Sequence, residues 1–249
     1  MYELLSNPLT PLTAAAAGLA CAVRAPWCNW LAPSVHKGVP YRKSLALTFD
    51  DGPSESTKDV LDLLDRYGVR ATFFMCGANV RRLPDVAQEV FCRGHEIGNH
   101  TYSHRPLYLK SPSFIEREIA IAQQTFEDFL YFRPKYFRAP YGCRWFGLRQ
   151  AQINHDLLGV MWTVIGLDWK YLADQVARRI VDRARPGGII CLHDGRGLVI
   201  DPNIQNTLDA LAWAIPFLQK QGYRFETISE ILCPSETTIE IPANYPEQQ

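Results

Sequence analysis

The 249-residue sequence predicts an α/β protein, a barrel of about seven parallel strands in a single catalytic-sized domain. Three observations carry this. From Ser44 onward, short apolar runs alternate with longer amphipathic ones, the pattern of parallel strands joined by crossover helices. A cluster of turn-forming residues follows most of the apolar runs. The chain is also 47% hydrophobic and 12% aromatic, enough apolar side chain for a full core and too much for a disordered chain.

In order, the strand readings are 45–49, 71–76, 95–98, 136–137, 160–164, 189–192 and a last short run at Phe225. The helices between them are read at 58–67, 83–93, 114–130, 145–155, 175–184 and 204–221. Alternation of this kind fits either a doubly wound sheet or a closed barrel, and seven strand candidates favour the barrel. In a barrel the loops after the strands open on one face, where active sites of such folds assemble. Those loops begin at Asp51-Gly52-Pro53, Gly77, Asn99-His100, Pro140-Tyr141-Gly142, Asp168-Trp169 and His193-Asp194-Gly195.

The domain is read as residues 44–233. Residues 1–43 are rich in Pro and Ala without a strong period and read as a leader and linker, and residues 234–249 read as a polar tail. An apolar stretch at 12–23 is shorter than the roughly 20 residues of a membrane-spanning helix. Its length suits a secretory segment, but Glu3 and the lack of Lys or Arg before it do not. Export or membrane attachment through the N-terminus is therefore weighed evenly against a cytoplasmic packing segment. Lys+Arg and Asp+Glu both number 26, so no uniform field attracts nucleic acid, and no protein partner is implied. The odd count of seven cysteines cannot all pair within one chain; Cys76 and Cys191 read as small buried hydrophobes, while Cys21 and Cys28 could pair in an oxidising compartment.

Thr48-Phe49-Asp50-Asp51-Gly52-Pro53 puts two carboxylates at a strand end. Every residue of Asp-Asp-Gly-Pro favours a turn, but consecutive residues leaving a strand point different ways, so one carboxylate can bind a metal while its neighbour serves as a base. His100 and His104 stand at i and i+4, one face of a helical turn, a spacing that suits a transition metal as well as a pair of surface histidines. Joined by Asp51, they would make an open two-His, one-carboxylate site. Arg138, in Arg138-Ala139-Pro140-Tyr141-Gly142, is read as holding a carboxylate in place rather than as a solvated charge, with Pro140 stiffening the loop that presents the Tyr141 N–H. His193, in Cys191-Leu192-His193-Asp194-Gly195, brings another imidazole to a strand end, more than a satisfied core histidine would need.

Taken together and in this order, these motifs and Asp168-Trp169 resemble the polysaccharide deacetylases with a NodB-homology domain, carbohydrate esterase family four, over roughly residues 43–233. The resemblance implies a distorted (β/α) barrel that removes N-acetyl groups from N-acetylglucosamine-containing glycans with the help of a metal. O-acetyl removal from a xylan-like glycan is the alternative within that chemistry. A catalytically silent glycan-binding domain, or a hydrolase of another small amide, are the readings outside it. It implies one divalent metal on Asp51, His100 and His104, zinc ahead of cobalt, nickel or manganese. Asp50 would be the base toward metal-bound water, His193 the acid toward the leaving amine, and Arg138 the group that orients Asp50. The Tyr141 N–H would hold the oxyanion, and Trp169 would wall the acetyl pocket. Asp168 would tune either Arg138 or His193. The chain departs from the family at Cys191, where many members carry Leu, and at Ile165, where many carry an acid. The first change alters the acetyl pocket and the second removes a partner for Arg138. Trp145, Phe146 and Trp162 could stack on sugar rings but read as core. The loops at 101–113 and 196–203 would supply part of the substrate groove.

Overall fold

The computed structural model describes residues 9–233. Its sheet has nine strands: β1 (Ser34–Val35), β2 (Ser44–Asp50), β3 (Thr72–Met75), β4 (Glu96–Asn99), β5 (Tyr136–Phe137), β6 (Leu158–Val160), β7 (Val164–Ile165), β8 (Gly188–His193) and β9 (Arg224–Phe225). The pairing order is β1-β6-β5-β4-β3-β2-β8-β7, with β9 added beside the start of β2, and every strand pair is parallel. The helices are α1 (Leu9–Arg24), α2 (Thr57–Tyr67), α3 (Gly77–Arg82), α4 (Pro84–Cys92), α5 (Pro112–Leu130), α6 (Leu148–Asn154), α7 (Ala173–Arg183), α8 (Gln205–Lys220) and α9 (Ile228–Leu232).

β2 is buried at all seven positions, as a strand covered on both faces must be, and its apolar run is continuous rather than alternating. The main core lies around it: Leu45, Leu47 and Phe49 pack with Phe73, Leu61, Leu64, Leu211 and Leu218, and the rings of Phe49 and Phe73 stack at 5.0 Å. The register levels the strand ends. Asp50 stands opposite both Phe74 and His193, and Asn99 opposite both Met75 and Phe137. This brings the chemistry-bearing ends of β2, β4 and β8 to one rim.

The barrel is split, and its sheet carries two strands more than the seven read from the sequence. The apolar run at 160–164 divides into β6 and β7, which lie on opposite sides of the opening, so the order ends at β1 and β7 without closing. The other added strand comes from residues read as linker. Ser34 and Val35 pair with Gly159 and Val160, Ala22, Leu31 and Ala32 are buried, and Arg144 ties this segment down through Ser34 Oγ at 3.1 Å and the carbonyls of Ala25 and Cys28. A two-residue strand has no periodicity to read. No helix among the described residues is long and apolar enough to cross a membrane. Cys21 and Cys28, which the sequence leaves open to pairing, stand unbridged in the structure, as do the other five cysteines.

The turns after β2 and β8 press against each other, Gly195 on the Asp51 backbone and Gly52 on the Asp194 carboxylate. A Cβ on Gly195 would lie 2.5 Å from the Asp51 carbonyl oxygen, and one on Gly52 would lie 2.2 Å from Asp194 Oδ2. Only glycine admits this approach. Gly195→Ala is expected to destabilise the fold by about 1–3 kcal/mol, read as a lowered urea midpoint at unchanged slope.

Candidate active site

Asp51 follows the first of these strands in a left-handed conformation, φ 78°, that turns its carboxylate away from that of Asp50. Asn79, at the start of α3, fixes the bend by donating to the Asp51 carbonyl at 2.7 Å and to the Gly197 carbonyl at 2.9 Å. Asp51 Oδ1 lies 2.8 Å from His104 Nε2 and 3.4 Å from His100 Nε2, and Oδ2 accepts from the Gly197 N–H at 2.8 Å. Burial opposes ionisation of Asp51, but the imidazoles of His100 and His104 outweigh it and hold the carboxyl well below its ordinary range.

The two histidines do not sit on a helical turn. Residues 100–110 form an irregular loop in which Thr101 (φ 66°) and His104 (φ 56°) are left-handed. The loop is held from outside: Gly77 and Ala78 donate to the carbonyls of Thr101 and Tyr102 at 2.9 Å each, and Glu118 accepts from the Ser103 N–H at 2.8 Å and from its hydroxyl. His100 Nδ1 lies 2.7 Å from the Arg138 carbonyl, which orients the ring with Nε2 toward Asp51. One ligand atom from each of Asp51, His100 and His104 falls within 4.8 Å of the others. Two imidazole nitrogens and a carboxylate with oriented rings, and no fourth ligand in the cluster among the described residues, fit an open divalent-metal site.

Asp50 lies on the other side of the rim. Its Oδ1 accepts from Arg138 Nη1 at 2.6 Å, and its Oδ2 lies 3.5 Å from Cys191 Sγ. Arg138 is fully buried and each of its three nitrogens has a partner: it also donates to Thr48 Oγ1 (2.8 Å) and to the carbonyls of Val160 (3.1 Å) and Met161 (3.4 Å), with Phe74 beneath its guanidinium at 4.1 Å. An acid at position 165 is therefore not needed to hold it. Burial pushes the Cys191 thiol well above its ordinary range.

Asp168, left between two partners by the sequence, belongs to His193. Its Oδ1 pairs with His193 Nδ1 at 2.9 Å, while Oδ2 accepts from the His193 N–H at 3.0 Å and from Thr207 Oγ1 at 2.7 Å. Burial pulls the His193 pKa down, but the charge and hydrogen bond of Asp168, with help from Asp51 and Asp50, raise it to about 9. Trp169 stands edge-on to His193 at 4.7 Å and is half exposed. Tyr141, left-handed at φ 59° within the turn Pro140–Gly142, lays its ring 4.9 Å from that of His104. Of the aromatic residues near the rim, Trp145 packs into the core, Trp162 is half-buried against Gly142 and Arg138, and Phe146 is half exposed. Thr48, Asn79, Glu118 and Thr207 complete the arrangement without having been singled out by sequence; Thr48 alone lay inside a motif.

A family model described as polysaccharide deacetylase matches residues 37–158. A peptidoglycan-N-acetylglucosamine deacetylase of Bacillus cereus is 37% identical over 194 residues, covering 76% of this chain and 88% of the relative. The chain belongs to the polysaccharide deacetylase family. A second family member, a chitooligosaccharide deacetylase of Bradyrhizobium, is 32% identical over 76% of this chain and 90% of its own length. Among solved family structures, a peptidoglycan N-acetylglucosamine deacetylase in complex with an N-hydroxybenzamide superposes with a TM-score of 0.74 at 32% identity, covering 79% of this chain and 91% of that one. A pseudoenzyme from Bacillus anthracis superposes at 0.73 with 26% identity, over 82% and 69%.

Proposed function

We propose that the protein is a metal-dependent hydrolase that removes N-acetyl groups from N-acetylglucosamine-containing glycans such as chitooligosaccharides or peptidoglycan. The observation that carries this reading is the division of the rim: Asp51, His100 and His104 converge on one point, while Asp50 and His193, adjacent in register, keep Oδ2 and Nε2 free of that triad. A closed structural metal site would need neither of them. The named relatives act on such glycans, and they supply the substrate class.

A divalent cation on Asp51, His100 and His104, zinc ahead of cobalt, nickel or manganese, supplies Lewis acidity and makes water a nucleophile near neutral pH. Asp50 takes the proton of the attacking water through Oδ2, with Oδ1 fixed by Arg138. The Tyr141 N–H faces the oxygen of the acetyl group as it gains charge. His193 delivers a proton from Nε2 to the leaving amine while Asp168 holds Nδ1. Trp169, Pro140 and Cys191 shape the recess for the acetyl methyl.

Purified protein, assayed for acetate release from chitooligosaccharides, peptidoglycan fragments and acetylated xylan, tests this reading. Release from the N-acetylated substrates should stop with a chelator and return with added metal, and His104→Ala should lose the metal. Release from xylan alone would replace the N-deacetylase with an O-acetyl esterase; metal binding without any release would indicate a silent domain.

The acid role has its own signature. His193 donates only while protonated, so activity should fall on the alkaline side as pH rises through its pKa, which Asp168 holds above the ordinary histidine range. The Asp168 carboxylate favours the imidazolium, and Asp168→Asn removes that support. The alkaline limb of the kcat/KM profile should then move to lower pH by more than about one unit. An unmoved limb would take the acid role away from His193.

A further inference from the structure

A second group of metal-ligating side chains adjoins the first. One ligand atom from each of Asp50, Cys191 and His193 lies within 4.8 Å of the other two. Strand geometry puts them there: Cys191 and His193 are two residues apart on β8 and so share a face, and the neighbouring β2 sets Asp50 opposite His193. Only a small closing movement separates these atoms from the spacing of ligands around a tetrahedral ion.

The remaining polar atoms of the two ring- and carboxylate-bearing ligands are already engaged. Arg138 holds Asp50 Oδ1 at 2.6 Å and Asp168 holds His193 Nδ1 at 2.9 Å, which leaves Oδ2 and Nε2 to the shared space, next to Cys191 Sγ at 3.5 Å from Oδ2. Metal-binding histidines and carboxylates are typically braced in this way. The donor set differs from that of the Asp51 triad in one respect, the sulfur. Thiolate ligands select softer cations than an imidazole and carboxylate set does. A divalent ion on one thiolate, one carboxylate and one neutral imidazole is also electrically balanced, so it brings no net charge into a buried place.

We propose that Asp50, Cys191 and His193 form a second, thiolate-preferring site for a divalent cation, and that its occupation shuts off the enzyme. On binding, a metal–sulfur bond replaces the S–H bond and the thiol proton passes to solvent; a protonated imidazole likewise gives up its proton as Nε2 takes the metal. The inhibitory half of the proposal rests on the roles of Asp50 and His193 given above, since the ion would occupy the lone pairs of both the base and the acid. The binding half rests on geometry alone.

Cadmium is the probe. Protein carrying one metal on the Asp51 triad is titrated with Cd²⁺ while the ultraviolet thiolate-to-cadmium charge-transfer band and acetate release are followed together. The wild type should show a band that saturates at one further equivalent, with activity lost in step. Cys191→Ala should lose that band, and His193→Gln, which keeps all seven thiols, should bind the second ion more weakly by more than the roughly 10–100-fold cost of losing a bracing group. The triad metal should stay in both. A band equally strong in both variants would assign it to other cysteines and overturn the site, as would no band in the wild type. If the one-metal protein released no acetate but the band behaved as described, the deacetylase reading would fail and the second site would stand. A band without any loss of acetate release would overturn the inhibition.

Discussion

Asp50→Asn is expected to lower kcat/KM by about 10²–10⁴-fold, the range for loss of a general base, while the protein keeps its metal. The replacement is nearly isosteric. An amide oxygen can still accept from Arg138 where Oδ1 does now, but no amide atom can take a proton from water. The metal should remain because none of its three proposed ligands is altered, and Asp51 faces the other way through its left-handed backbone and its bonds from Asn79 and Gly197. Acetate release and metal content measured on the same preparation check both parts. A variant that lost its metal would exchange the roles of the two aspartates. Thermal melting belongs with the assay, because the buried Arg138 charge loses its counter-ion and the comparison must be made where both proteins are folded.

That the adjacent carboxylates part company was legible from their place at the end of an apolar run, but strand alternation is not what parts them: Asp51 lies just beyond β2, and its left-handed backbone turns its carboxylate away from Asp50. The alignment of Asp50 with His193 was not legible, since register depends on which strands become neighbours. The His-x3-His spacing singled out two imidazoles that the structure does bring together, but not through the helical turn that the spacing suggests. A loop in which Thr101 and His104 are left-handed, not a helical turn, brings the imidazoles together, and the groups that impose that loop, Glu118 and the amides of Gly77 and Ala78, lie in other elements. Asn79 and Thr207 were invisible for the same reason: a polar residue in the first turn of a helix looks like any cap until the fold puts Asp51 or Asp168 beside it. The two alternatives for Asp168 were settled by distance alone. At the fold level, the run at 160–164 reads as one strand by composition, and only its pairing at both ends of the sheet order divides it. An edge strand of two residues, Ser34 and Val35, has too few positions to show a period at all.

Arg138→Met is expected to cost about 3–5 kcal/mol, the range for breaking a buried ion pair from one side. Methionine fills much of the apolar path of the side chain over Phe74, so the loss is electrostatic more than steric. Asp50 is left 4% exposed without its guanidinium, and the carbonyls of Val160 and Met161 and the hydroxyl of Thr48 lose a donor. The double variant Arg138→Met, Asp50→Asn separates these contributions. With no orphaned carboxylate, it should recover roughly half or more of the stability lost in Arg138→Met, because pairs in direct contact are strongly non-additive. Urea denaturation of the wild type, the two single variants and the double variant gives the coupling energy. Strict additivity would mean that Arg138 is held for its packing and its carbonyl contacts, and that Asp50 keeps its place without it. Activity should not follow stability. The double variant should remain inactive however well it folds, since a residue that only positions the base cannot replace it. Arg138→Lys, with one ammonium in place of a planar fork that spans a carboxylate, a hydroxyl and two carbonyls, should regain part of the stability and little of the rate.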